Sequence, residues 1–415
     1  MDNAEKFIDE INAKIPHSNK QINIILKQHN LIITGANGSG KTVLLTAIYE
    51  KLNSFVRQKK HSALPDLKSQ EIFWQGEANK YLQGSEGYEQ SNTQLEYVKK
   101  QIQKISEGPN IKILNTLEFS KKIDHGAAVI ELFPAVRQSD IKEARSASGI
   151  NYDTKELKSE GFGAQIGGML EQHLVNLYTR RSFSLTDLNS PELAKSISGW
   201  LIDFDKNLKF LLEDDSAKLE FDADNFKFRI FQKGKIPYTL QNLSSGYSSV
   251  FHIFSALLMR AEYLKASPSE LCGVALIDEI DAHLHVTLQR KILPFLTDSF
   301  PGIQFITTTH SPFVLTSVSN SVIFDISKNE QTSEMSSYSY ESVLEGLFDI
   351  SPTSEILQKK ISQIAQLLRE SPPDIRAIEP ILKDISPNIE YLDEESKFFF
   401  NKAKTVVLKA TSGKA

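Results

Sequence analysis

At 415 residues the chain is long enough for two or three domains, and its 40% apolar content builds a sizeable core and excludes global disorder. A formal net charge of −5 gives no overall attraction to nucleic acid or to a membrane surface, although a local basic face is compatible with it. The single cysteine, Cys272, excludes an internal disulfide and suits a reducing compartment; it lies in LCGVALI and is read as a small buried apolar residue.

Residues 1–17, MDNAEKFIDEINAKIPH, are acidic and amphipathic, without the basic start and apolar run of a secretory leader. No uninterrupted apolar stretch approaches ~18 residues, so a cytoplasmic chain with no membrane span is expected. The next element is a buried strand over Leu31–Thr34. It runs into GANGSGKT, residues Gly35, Ala36, Asn37, Gly38, Ser39, Gly40, Lys41 and Thr42, which fits G-x-x-x-x-G-K-[ST] without departure. Glycines there admit positive φ and bring backbone N–H groups close to phosphate oxygens. A helix beginning near Lys41 offers its N-terminal dipole to the same anion. Lys41 is suited to the β and γ phosphates of a nucleotide, and Thr42 to Mg²⁺. Such a loop alone leaves kinase, GTPase, transporter and DNA-associated ATPase open.

Residues 54–126 are polar and charge-rich, with helix-forming stretches such as NTQLEYVKKQIQKI broken by GSEG and EGPN; a helical insertion is expected. Residues 163–182 and 191–213 read as two further helices. KLEFDADNFKFRIFQKGKIPYTL alternates like two or three strands. Ser244, Ser245 and Gly246 then open a long amphipathic helix. They act either as a plain N-cap or as an exposed helix N-terminus aimed at the γ-phosphate held by a second copy.

ELCGVALIDEIDAHLH contains a continuous apolar strand, Gly273–Ile277, ending in Asp278 and Glu279. A parallel sheet brings such strand ends beside the phosphate loop. Asp278 is then placed to hold Mg²⁺ through water, and Glu279 to orient and deprotonate the attacking water. After one expected helix, VTLQRKILPFLTDSF, comes a third strand, Gln304–Thr308, and then His310. His310 is either a satisfied loop histidine or a donor that senses the γ-phosphate. Beyond about residue 326 a polar linker precedes three helical stretches separated by SPPD and SPN. The short basic clusters RQKK, VKK and RRS read as solvated faces, with DNA contact as the alternative.

The order GANGSGKT, LSSGYSS, VALIDEIDAHLH and TTTHSPF resembles ABC-type ATPases. The long insertion and the HLH after the acidic pair resemble the SMC/RecF-like branch, and more narrowly the ATPase subunits of bacterial anti-phage systems of the Septu, retron-associated and PARIS types. The resemblance implies an α/β fold: an ABC-type P-loop ATPase head with a mixed or parallel sheet over residues 1–53 and 127–325, a helical insertion over 54–126, and a helical partner or oligomerisation region over 326–415. It implies Lys41 and Thr42 on phosphate and Mg²⁺, Asp278 on Mg²⁺, Glu279 as general base and His310 as switch. Ser244, Ser245 and Gly246 would serve the opposing nucleotide of a head-to-tail homodimer, and residues 281–285 would form the crossing loop. The family's coordinating glutamine is assigned to Gln138, at the end of a strand in AVIELFPAVRQSD. Two departures stand out: Tyr247 where Glu or Gln often follows the signature glycine, and His285 where many members have Asp. HLH also admits a reading as a metal pair.

The function expected on these grounds is an ATP-hydrolysing sensor subunit of an anti-phage complex. Its ATP-dependent dimer would control a separate effector, a nuclease. No acidic cluster of a nuclease follows the ATPase motifs, unlike in relatives of the overcoming-lysogenization type. A RecF-like repair or recombination ATPase, acting on nucleic acid, is the alternative. A transporter subunit is disfavoured by the roughly 200 residues between Thr42 and the signature. A module that binds nucleotide without turnover is the remaining competitor.

Overall fold

The computed structural model describes residues 6–14, 20–106, 108–150, 162–186, 190–333, 335–351 and 353–412. They fall into two compact units, Met1–Tyr338 and Ser339–Ala415. The larger unit begins with β1 (Ile8–Lys14), β2 (Gln21–Ile25), β3 (Asn30–Thr34), α1 (Lys41–Leu52), α2 (Lys60–Ala78), α3 (Glu86–Ser106), β4 (Asn110–Ile113), α4 (Thr116–Asp124) and β5 (Ala128–Phe133). It continues through α5 (Phe162–Gly167), α6 (Leu170–Thr186), α7 (Pro191–Leu212), β6 (Lys218–Asp222), β7 (Lys227–Phe231), β8 (Tyr238–Thr239) and α8 (Ser245–Tyr263). It closes with β9 (Cys272–Ile277), α9 (Val286–Gln289), α10 (Ile292–Ser299), β10 (Ile303–Thr308), α11 (Pro312–Leu315), β11 (Ser321–Asp325) and β12 (Glu330–Ser333).

The central sheet has the order β12-β11-β3-β10-β9-β5, parallel except for the β11–β12 pair. β3 and β10 are buried at every position, which is why Leu31–Thr34 and Phe305–Thr308 read as continuous apolar and β-branched runs rather than alternating ones. The sheet β2-β1-β4 is antiparallel, and β2 alternates exposed and buried residues as a strand with one wet face does. One core joins the two sheets and α1: Phe7, Ile11, Ile24, Leu31, Ile33, Leu45, Ile48, Leu276, Ile306 and Phe324. Buried Gln304 fastens β10 to β1: its amide donates to the carbonyls of Ile8 (3.0 Å) and His29 (2.8 Å), and its Oε1 accepts from Ile8 N–H (2.8 Å). A third sheet, β6-β7-β8, leads into the signature helix α8. The expected strands before α8 and the helix over 191–213 are present, whereas the single helix expected over 163–182 is two, α5 and α6, broken at Gly168 and Met169.

Several boundaries differ from those expected. The helical excursion is the pair α2 and α3. β4, inside the expected insertion, pairs with β1 (Ile11 opposite Ile111), and Phe119 of α4 stacks on Phe7 at 4.0 Å, so the chain has rejoined the head by residue 110. At the other end β12 pairs with β11, and the larger unit runs to Tyr338 rather than stopping at 325. The single helix expected after the acidic strand is two, α9 and α10. Pro294 lacks the N–H that would bond the Arg290 carbonyl one turn back. β5 ends at Phe133, before Pro134, and not at Gln138. Cys272 is only partly buried, and its thiol donates to Ala127 O at 3.3 Å.

The smaller unit holds α12 (Tyr340–Gly346), α13 (Glu355–Leu367), α14 (Ile375–Ile385) and α15 (Glu394–Ser412). Its own core contains Ile361, Ile364, Ile378, Leu382, Ile385, Phe400 and Ala403. Ser354 and Asp374 cap α13 and α14 by accepting N–H bonds from Leu357 and Ala377.

Candidate nucleotide site

The parallel strands deliver three chain ends to one edge of the sheet. Ile306, Thr307 and Thr308 lie beside Leu31, Ile32 and Ile33, and Ile277 lies beside Thr307. From β3 the chain enters the glycine loop, where Gly35, Gly38 and Gly40 have φ of 139°, 75° and 97°. A Cβ on Gly35 would approach Ile326 Cγ2 and Ser327 Oγ to 2.8 Å, so both the φ and the close neighbour require glycine. Ser327 Oγ accepts from Ala36 N–H at 2.8 Å and fixes the start of the loop. Asn37 and Gly38 are exposed, and Ser39 Oγ is shielded from solvent without a partner. Lys41 is buried, and Nζ donates to the loop carbonyls of Gly35 and Ala36, each at 3.0 Å. Burial pulls its pKa down, while Glu279, Asp278, Asp281 and Asp325 push it back up.

The acidic strand end meets this loop. Thr42 Oγ1 donates to Asp278 Oδ2 at 2.9 Å, and Thr308 Oγ1 donates to Asp278 Oδ1 at 2.6 Å. Thr308 Oγ1 also accepts from the N–H of Glu279 at 2.7 Å. Glu279 has φ +44°, a left-handed conformation unusual for a residue with a side chain. His310 is partly buried; burial and Lys41 hold its pKa below the usual histidine value, opposed by Asp281 and Glu279. Lys41, Thr42, Asp278, Glu279 and His310, far apart in sequence, therefore share one electrostatic environment. An oxygen pair such as Thr42 and Asp278 suits a hard cation, and Mg²⁺ fits it.

Ser244, Ser245 and Gly246 are placed differently. Ser244 caps α8 with extended backbone (ψ 159°), and its hydroxyl makes no capping bond. Ser244 and Ser245 are exposed, while Gly246 is buried against residues 283–288: a Cβ there would meet His283 O at 3.1 Å. Gln138 is exposed, and its carbonyl meets His252 Nδ1 of α8 at 3.0 Å. His285 caps α9, accepting from Thr287 N–H, and no group of three or more metal-ligating side chains occurs among the described residues. The sequence alone assigns no role to three residues of the site, Thr308, Ser327 and Arg137. Arg137 is buried and donates to the carbonyls of Asp278, Glu279 and Ile280. Thr308 and Ser327 read locally as strand filler and linker.

The fold is α/β, with a glycine loop of the phosphate-binding pattern between a buried parallel strand, β3, and the helix α1. The family described as "AAA domain, putative AbiEii toxin, Type IV TA system" matches residues 169–316, which include the signature, the acidic pair and His310 but begin beyond the glycine loop. The chain is similar to the retron Vc95 probable ATPase of Vibrio cholerae serotype O1 biovar El Tor, at 35% identity over 144 residues, 34% of this chain and 25% of that protein. It is similar to the retron Ec83 probable ATPase of Escherichia coli, at 35% over 105 residues, 25% of this chain and 19% of that one. It also resembles the Septu protein PtuA of Bacillus thuringiensis, at 38% over 80 residues, 18% of this chain and 20% of that one. The chain thus matches a quarter or less of the length of these relatives. Among solved structures, an Smc head bound to the C-winged helix domain of ScpA aligns with TM-score 0.37 and 13% identity, covering 80% of this chain and 99% of that one. The SMC head domain from Thermotoga maritima aligns with TM-score 0.35 and 12% identity, covering 79% and 98%. No helix among the described residues is long and apolar enough to cross a membrane.

Proposed function

We propose that the chain binds ATP and hydrolyses it to ADP and phosphate, and that two copies close head to tail on the nucleotides to control a separate effector in an anti-phage complex. The carrying observation is the 2.9 Å contact from Thr42 to Asp278, which joins the phosphate loop to the acidic strand end. In this reading the N–H groups of Gly35–Thr42 and the ammonium of Lys41 take the β and γ phosphates. Thr42 and Asp278 hold Mg²⁺, which when bound neutralises phosphate charge. Glu279 accepts a proton from the water that attacks the γ-phosphorus, and His310 donates a hydrogen bond to the γ-phosphate. The exposed N-terminus of α8, with Ser244, Ser245 and Gly246, caps the nucleotide of the second copy. The defence role is supported by the likeness to retron and Septu proteins, and the effector is proposed to be a nuclease. The test is steady-state ATPase assay with sizing chromatography. Glu279→Gln should lower turnover on the order of 100-fold or more, keep ATP binding and accumulate an ATP-dependent dimer. Unchanged turnover in that variant would overturn the reading.

A further inference from the structure

We infer that Arg137 is a positioning residue that locks the backbone of Glu279 and ties it mechanically to the signature helix α8. This rests on the hydrolytic reading of Glu279 given above. Arg137 lies in the stretch between Phe133 and Asp140 and is 6% exposed. Its Nη1 donates to Asp278 O at 2.7 Å and to Pro134 O at 3.0 Å; its Nη2 donates to Glu279 O and Ile280 O, both at 3.0 Å. Three consecutive carbonyls that have left the β9 ladder are thus held by one rigid fork, a geometry that the three donors of a lysine ammonium reproduce only in part. The N–H of Glu279 is held by Thr308 Oγ1 at 2.7 Å. Both peptide groups beside Glu279 Cα are therefore pinned by side chains, at a left-handed φ of +44° that would otherwise relax. Burial lowers the pKa of Arg137 to about 10, opposed by Asp281, Asp278 and Glu279, so the fork stays charged at neutral pH.

The other end of the same stretch is fixed to α8. Ser139 N–H donates to Ser248 Oγ at 2.9 Å, and His252 Nδ1 meets Gln138 O at 3.0 Å. Ser248 and His252 lie within the first two turns of α8, directly behind Ser245 and Gly246. Further along α8, Arg260 makes a buried 2.6 Å ion pair with Glu131 of β5, the strand that feeds the stretch. A displacement of the α8 N-terminus by a second copy therefore reaches Glu279 through residues 134–139 and Arg137.

The experiment compares wild type with Arg137→Met, Arg137→Lys and Ser248→Ala by ATPase kinetics, ATP binding and peptide-level hydrogen exchange. Arg137→Met should lower kcat on the order of 100-fold while ATP affinity changes less than about threefold. Arg137→Lys should recover part of kcat, and exchange across residues 278–283 should rise in both variants. Ser248→Ala should flatten the rise of turnover per chain with protein concentration. Wild-type kcat in Arg137→Met, a Lys variant no better than Met, or a parallel loss of kcat, ATP affinity and melting temperature would overturn the positioning role. A concentration dependence in Ser248→Ala equal to wild type would overturn the mechanical tie. If the wild type shows no turnover, hydrolysis fails as a reading, and the exchange across 278–283 still decides whether Arg137 clamps that backbone.

Discussion

Lys6 carries a charge into the core of the larger unit. It is 8% exposed, and Nζ donates to Asn30 Oδ1 at 2.9 Å, an atom that also accepts from Phe305 N–H. Burial lowers its pKa from 10.5 to about 8. Below pH 8 the lysine is protonated in both folded and unfolded states, and the folded state bears the full desolvation penalty. Between pH 8 and 10.5 the unfolded chain binds the extra proton, so stability from this group rises with pH. Lys6→Met should therefore stabilise the unit at neutral pH, and its advantage over wild type should shrink by about 2 kcal/mol between pH 7.5 and 9.5. Urea unfolding at the two pH values measures this, and an advantage independent of pH would refute it. His310 titrates in the opposite part of the scale. With its pKa depressed by burial and Lys41, it is neutral at pH 7 and above, the form in which the proposed hydrogen bond to the γ-phosphate would be donated. His310→Gln, which keeps a neutral N–H donor, should retain more turnover at pH 8 than His310→Ala, and equal losses would argue against a donor role.

Among the elements, β9 carries the tightest packing constraint. Gly273 has φ +127°, and a Cβ on it would lie 2.1 Å from Val129 O of β5. β5 is paired with β9 along its whole length, Ala128 opposite Cys272 to Phe133 opposite Ile277, so the neighbouring backbone has no room to withdraw. Gly273→Ala should destabilise the larger unit by about 3 kcal/mol or more, seen as a lower urea midpoint at unchanged slope. A variant within about 0.5 kcal/mol of wild type would contradict the packing. The strands that build the site were legible because burial on both faces leaves an unbroken apolar signature, as in LIIT and VALI. β4 and β12 were not, since NIKI and EQTS are four-residue edge strands whose pairing is decided by the partner strand rather than by their own pattern. The glycine loop and the Asp278–Glu279 pair were legible because their chemistry fixes residue type locally. Thr308 and Arg137 were not, because each acts only once the parallel register sets it beside Asp278. Gln138 was placed by analogy at a strand end, and Pro134 ends that strand five residues after Val129 instead.

At the scale of the whole chain, the two compact units have separate cores. The Phe7, Leu31 and Leu276 cluster lies wholly within Met1–Tyr338, and the Ile364, Ile378 and Phe400 cluster wholly within Ser339–Ala415. Every residue assigned to the nucleotide belongs to the first. A helical unit of this size buries little apolar surface per residue, so its stability is small and depends on a few side chains. Ile378, fully buried on α14, is one of them. Ile378→Ala should cost the smaller unit about 2–5 kcal/mol, enough to unfold much of it, because the removed methyl and methylene groups leave a cavity among Ile364, Leu382 and Phe400. In a thermal scan the wild type should melt in two steps, and this variant should lose or lower the step belonging to the smaller unit alone. ATP affinity, assigned above to Lys41 and its loop, should stay within about twofold, since Ile378 belongs to a separate core and independent sites behave additively. If the variant instead lowers a single cooperative transition and weakens ATP binding with it, the two cores are one folding unit and their independence is refuted.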